Sequence, residues 1–215
     1  YLGCRDAEKG YSAIEPLAKE SPDWAERLCV LEVDVADQNS IELAASKVRE
    51  YHSADDSLLY AIVNNAGIAR SDAGVAPIIE VNTFGPNRVF EEFVNLIDPK
   101  SGRIVNVTSA SGPNYLSHCD EYVREKLTSQ NVSWDEIANL VESFLNEYED
   151  ASADEKERLY SHVYGFSKAC TNALTIYLAK SNSNLIINSC TPGFIETDLT
   201  QPYVVERGMT PKEMG

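Results

Sequence analysis

Tyr164 and Lys168 stand four residues apart in the run Tyr164-Gly165-Phe166-Ser167-Lys168. Residues at that spacing share one face of a helix, so an ammonium can sit beside a phenol. A phenol with an ordinary pKa of about 10 is a poor proton donor or acceptor at neutrality, and a cation within about 4–6 Å favours its ionised form. Such a pair can shuttle a proton. By itself the spacing is weak, since a surface Tyr lying beside a Lys accounts for most such pairs. Other polar motifs shift the balance. Asn64-Asn65-Ala66-Gly67, Val107-Thr108-Ser109-Ala110-Ser111-Gly112 and Thr191-Pro192-Gly193-Phe194-Ile195-Glu196-Thr197-Asp198 each follow a short β-branched run, and Val81-Asn82-Thr83-Phe84-Gly85 lies on a helical stretch. Open α/β sheets place their ligand sites at such strand ends.

The elements that must position these residues alternate along the chain. Strand patterns cover 27–33, 58–63, 102–107 and 184–189, and residues 2–4 end another. Helix patterns fall between them, one carrying Ile41, Leu43, Ala44, Val48 and Tyr51, the next Val89, Phe90, Phe93, Val94 and Ile97. Strands apolar on both faces and separated by helices predict a parallel sheet covered on each side, the doubly wound α/β class. Pro16 lies inside the helix pattern 7–19 and is expected to divide it into two short helices. Residues 115–160 interrupt the alternation with a helical insertion, with helix starts at the capping boxes Ser133-x-x-Glu136 and Ser152-x-x-Glu155. Between Asp120 and Arg158 stand twelve acids and four bases, half of the chain's net charge. A solvated helical flap is the favoured reading of that run, with a docking surface as the alternative.

Composition narrows the classes further. A chain of 215 residues with 43% hydrophobic and 24% charged residues is long enough for a single α/β domain with its own core. Against 18 Lys and Arg stand 34 Asp and Glu, a net charge of −16 that repels phosphate backbones and anionic lipid heads. No nucleic acid partner is expected. The longest apolar runs are far short of the ~20 residues a bilayer requires, so no membrane span is expected either. The five cysteines form no Cys-x-x-Cys pair, which predicts free thiols, a reducing compartment and a cytoplasmic location. The first residues carry neither Met nor a leader pattern and are read as a cut end. No metal-ligand cluster is read.

Taken in order from residue 1 to about 200, these motifs resemble the short-chain dehydrogenase/reductase family. The resemblance implies a Rossmann-like, dinucleotide-binding reductase domain and assigns roles to residues. Tyr164 would be the general acid that protonates a carbonyl oxygen, and Lys168 would hold the nicotinamide ribose and lower the Tyr164 pKa. Ser109 would hydrogen-bond the substrate oxygen, chosen over neighbouring Thr108 and Ser111 because Ser109-x-x-Gly112 fits the family pattern. Asn82 would fix a water in the relay. Asn64, Ala66, Gly67, Pro192, Gly193, Ile195 and Thr197 would line the cofactor, with Asp34 against the adenine, and Thr197 is otherwise a plain loop residue. Arg5 beside the neutral Cys4 can pair with a ribose 2′-phosphate, which points to NADP(H), unless Arg5 merely pairs with Asp6.

The 55 residues from Ser109 to Tyr164 exceed the family's usual spacing, and the insertion fills the gap. That arrangement resembles the monomeric NADPH-dependent carbonyl reductases, which implies a monomer acting on an apolar ketone, aldehyde or quinone. A non-catalytic dinucleotide sensor or scaffold and an oxidative hydroxysteroid-type dehydrogenase are the alternatives. The chain departs from the family at its front, where the glycine-rich Thr-Gly-x-x-x-Gly-x-Gly turn is absent, and it stops at Gly215. It is therefore read as an internal fragment, truncated at both ends. With strand order 3-2-1-4-5-6-7 the sheet would break between the strand ending near Cys4 and that ending near Asn64. The fragment alone is expected neither to fold cooperatively nor to bind NADPH.

Overall fold

The computed structural model describes residues 1–52, 59–195, 197 and 199–201. Leu58 of the second expected strand, and Glu196 and Asp198 of the last motif, lie outside the described residues. The chain forms two compact units, Tyr1–Leu58 with Arg88–Leu96 and Leu59–Asn87 with Ile97–Gly215.

In the first unit, β1 (Leu2–Cys4) leads into α1 (Ala7–Glu20) and the short α2 (Pro22–Ala25), then β2 (Val30–Glu32) and α3 (Gln38–His52). β1 and β2 pair in parallel, Gly3 opposite Leu31. Ile41, Ala44, Ala45 and Val48 form the buried stripe of α3, the spacing of a helix with one apolar face. Pro16 does not divide the helix as the sequence suggested: α1 runs unbroken through it. Proline removes the bond to the carbonyl four residues back, here that of Ser12. Both residues are exposed, so water can serve that carbonyl. Asp6 closes the helix start by accepting from the Lys9 N–H at 3.1 Å.

The second unit begins with β3 (Ala61–Asn64) and α4 (Ala76–Ile79), followed by one π-helical turn over Glu80–Phe84. α5 (Gly85–Phe93) continues from that turn and ends in a 3₁₀ turn at Val94–Leu96, within the first unit. β4 (Arg103–Val107) is followed by α6 (Ser111–Leu116), α7 (Glu121–Thr128), α8 (Trp134–Asp150), α9 (Ala153–Ser181) and β5 (Ile186–Cys190). β3, β4 and β5 form a parallel sheet in that order, with Val63 opposite Val105 and Val105 opposite Asn188. Among the described residues the pairing thus falls into two sheets, one of two strands and one of three.

α9 lies against the sheet face that carries Asn106, whose side chain bonds Thr175 of α9. Ile104 and Ile187 are buried, whereas Val63 is 60% and Ile186 49% exposed. Among the described residues of the second unit, the buried and exposed positions of these strands thus alternate. Alternate residues of a strand point to opposite faces, and one face is covered by α9.

The insertion is helical, and both capping boxes form. Glu136 accepts from the Ser133 N–H at 3.0 Å and Glu155 from the Ser152 N–H at 3.0 Å. The helix opened by Ser152 is the one that carries Tyr164 and Lys168, so insertion and motif share one 29-residue rod. α8 turns Ile137, Val141 and Phe144 inward and leaves Asp135, Glu142, Glu147 and Glu149 exposed. Phe144 stacks on Phe166 of α9 with ring centroids 4.4 Å apart. Trp134 meets Phe84 edge to face at 5.6 Å. The charge excess of this region faces solvent while its apolar side braces the helix.

Candidate active site

One turn of α9 places the Lys168 ammonium 5.8 Å from the centre of the Tyr164 ring. The ammonium also donates to the Val107 carbonyl at 2.9 Å, which brings it to the end of β4, two residues before Ser109. Lys168 is only 4% exposed, and burial pushes its pKa down to about 8. Desolvation disfavours the charged form of a lysine, and burial is the cause of this shift.

Ser109 reaches the same place through close helix packing. α6 starts just after it and lies directly on α9. A Cβ on Gly165 would stand 2.9 Å from the Ser111 carbonyl oxygen and 3.0 Å from the Tyr115 Cβ. On the facing side, a Cβ on Gly112 would stand 3.1 Å from the Ala169 nitrogen. Only glycine at these two points lets α6 approach the turn between Tyr164 and Lys168 so closely. Ser109 Oγ accepts from the Ser111 N–H at 3.1 Å and donates to Ser111 Oγ at 3.2 Å, which holds its side chain at the start of α6.

Asn82 sits in the π-turn and is 1% exposed. π-turns are rare and recur at functional sites, because they redirect backbone groups out of the helical ladder. Its carboxamide grips the backbone of Ile68 from both sides, accepting from the N–H at 2.9 Å and donating to the carbonyl at 2.9 Å. The same Nδ2 donates to Ser167 Oγ at 3.0 Å, and Ser167 Oγ in turn donates to the Tyr164 carbonyl at 2.8 Å. Gly67 lies between: a Cβ there would be 3.3 Å from both Asn82 Oδ1 and Lys168 Nζ.

At the adjoining strand end, Asn64 Nδ2 donates to Asn106 Oδ1 at 2.8 Å, and Asn106 Nδ2 donates to Thr175 Oγ1 at 2.9 Å. Asn65 and Ala66 are exposed at that end. β5 ends beside β4, where the Thr108 N–H donates to the Cys190 carbonyl at 2.8 Å. The loop holding Pro192, Gly193, Ile195 and Thr197 therefore starts next to Ser109, is exposed, and closes on itself through the Thr197 N–H and Thr200 Oγ1 at 2.9 Å.

Tyr164, Lys168, Asn82, Gly67 and the end of β4 thus converge within the second unit. Arg5 and Asp34 belong to the first, where both follow the C-terminal ends of paired strands. Arg5 is exposed, and Asp34 turns its carboxylate to the Ala36 N–H at 2.9 Å.

Three residues that hold this cluster escaped the sequence reading: Asn106, Ser167 and Thr171. Thr171 Oγ1 shares its proton between the carbonyls of Asn82, at 2.7 Å, and Ser167, at 2.8 Å. A signal existed. Ser167, Thr171 and Thr175 recur every four residues on α9, and such buried hydroxyls need partners.

Comparison with known proteins follows the same lines. A family model described as short chain dehydrogenase matches residues 5–129. The (+)-neomenthol dehydrogenase of Arabidopsis thaliana is 30% identical over 226 residues, spanning 92% of this chain and 75% of that protein. Carbonyl reductase (NADPH) 1 of Homo sapiens is 29% identical over 216 residues, spanning 94% of this chain and 74% of that protein. The structure of salutaridine reductase from Papaver somniferum superposes with a TM-score of 0.78 at 25% identity, covering 92% of this chain and 79% of that one.

Proposed function

The chain belongs to the short chain dehydrogenase family of oxidoreductases, and from that premise we propose that it reduces carbonyl compounds with NADPH as hydride donor. The observation that carries the reading is the Tyr164–Lys168 pair, seated at the end of β4 with Asn82 behind it.

The residues fit a nicotinamide dinucleotide. An ammonium carries three donors, so the bond from Lys168 to Val107 leaves capacity for ribose hydroxyls. Gly193 takes φ +80° and has open space where a Cβ would stand, as a backbone approaching a bound phosphate requires. Asn64, Ala66, Gly67, Pro192, Ile195 and Thr197 would line the cofactor in the second unit, and for Asp34 and Arg5, in the first, the family resemblance implies contacts with the adenine and the 2′-phosphate. When bound, the cofactor supplies the hydride. Tyr164 gives its proton to the carbonyl oxygen as charge develops there, and Ser109 donates a second hydrogen bond to that oxygen. Lys168 favours the ionised form of the phenol, which would be re-protonated through a water fixed by Asn82. The substrate class is an apolar ketone, aldehyde or quinone.

NADPH absorbance followed with ketone, aldehyde and quinone panels tests this in the full-length gene product. Tyr164→Phe is expected to lower kcat by roughly 10²–10⁴-fold. Equal turnover by both proteins removes Tyr164 as the acid. NADPH binding without turnover in the wild type favours a dinucleotide sensor, and turnover only with alcohols and NADP favours the oxidative direction.

A further inference from the structure

The segment between Gly67 and Gly74 is tied to α9 at a second point, one full turn before the catalytic pair. Tyr160 Oη accepts from the Ser71 N–H at 2.8 Å and donates to the Ser71 carbonyl at 3.0 Å. The pattern repeats what Asn82 does to Ile68, one side chain satisfying both backbone groups of one loop residue. The loop then passes α8, where a Cβ on Gly74 would lie 3.7 Å from the Tyr148 hydroxyl.

The two ties fix where the segment runs. Gly67 lies near Lys168 Nζ and Ser71 bonds Tyr160 Oη, so the loop meets side chains that leave α9 two turns apart. The segment bends at Ala69 between its two ends, and on α9 Tyr164 stands midway between Tyr160 and Lys168. With Ala69 buried and Arg70 exposed, it forms a wall beside the phenol.

We propose that Tyr160 is a positioning residue that tethers segment 68–71 to the catalytic helix and so sets the width of the carbonyl side of the site. It governs which carbonyl compounds enter, and it takes no part in proton transfer. This rests on the reductase reading above. Loss of the phenolic hydroxyl leaves the Ser71 N–H and carbonyl to water, and the wall moves away from Tyr164.

Tyr160→Phe in the full-length gene product keeps the ring in place and removes only the hydroxyl. Hydrogen–deuterium exchange read by mass spectrometry is expected to quicken about tenfold in peptides covering 68–74, with α9 peptides unchanged. In kinetics, the ratio of kcat/KM for a bulky cyclic ketone to that for a small aldehyde is expected to rise about tenfold. The pH profile of kcat and the KM for NADPH stay as in the wild type. Tyr122→Phe, on the exposed face of α7, is the control and should alter neither. Unchanged exchange at 68–74 overturns the tether whatever the enzyme's chemistry. Faster exchange with an unchanged selectivity ratio overturns the specificity role. A wild type that consumes NADPH with no carbonyl overturns the reductase reading and this role with it, and the exchange result separates that outcome from failure of the tether.

Discussion

The Lys168 ammonium is almost wholly buried, and burial brings its pKa from 10.5 down to about 8. An unfolded chain keeps that proton up to about 10.5, so between pH 8 and 10.5 the unfolded state binds more protons than the folded one. Stability conferred by this residue therefore rises with pH across that window. Below pH 8 both states are protonated, and the buried charge is a constant cost. Thermal melts of the cofactor-free full-length protein should show this, with Lys168→Met raising Tm at pH 7 and losing the alkaline increment. A variant no more stable than the wild type at pH 7 contradicts the desolvated site. The same value bears on activity. Because kcat/KM reports ionisations of the free enzyme, it is expected to fall above pH 8 as the cation is lost. Asn106 acts by position alone, spending both ends of its carboxamide on Asn64 and Thr175.

Elements bring these residues together by how near they can lie. α6 meets α9 where Gly112 and Gly165 leave out side chains, and Ser109 is carried in with α6. Gly165→Ala puts a methyl 2.9 Å from the Ser111 carbonyl, so α6 must back away. Overpacking of this kind costs about 1–3 kcal/mol. The expected result is a lower denaturant midpoint with kcat reduced more than the KM for NADPH changes, since Ser109 moves relative to Tyr164 while the cofactor edge stays. A fall in stability with kcat intact would detach Ser109 from the chemistry. At this scale the sequence was only partly legible. The capping boxes name their own helix starts, because Ser and Glu three residues apart satisfy each other's groups locally. The π-turn at Glu80–Phe84 is set by what Asn82 must reach, Ile68 and Ser167, which no local pattern encodes. Pro16 misled because its effect depends on whether a freed carbonyl meets water or protein.

For the molecule as a whole, a net charge of −16 sets the long-range field. A dinucleotide is itself an anion, so its approach is opposed at distances where salt is weak. Between low and physiological ionic strength the Debye length shrinks from about 30 to 8 Å. The association rate for NADPH, measured by stopped-flow fluorescence on the full-length protein, is expected to rise several-fold over that range. A falling rate would mean that a local cationic patch, with Arg5 in it, outweighs the total charge. Half of the excess lies on 120–158, where the acids face solvent and the apolar side rests on α9 through Phe144 and Phe166.

Sequence alone determined the class of fold, the strand ends and the pairing of Tyr164 with Lys168, because each depends on spacing within a few residues and on the periods of helix and strand. Tertiary structure decided what is buried and what reaches across. The low pKa of Lys168, the grip of Asn82 on Ile68, the glycine contact that delivers Ser109 and the tether from Tyr160 to Ser71 join residues as many as 89 positions apart. Such contacts depend on interatomic distances held to within a few tenths of an ångström, and those are fixed only once the elements have packed.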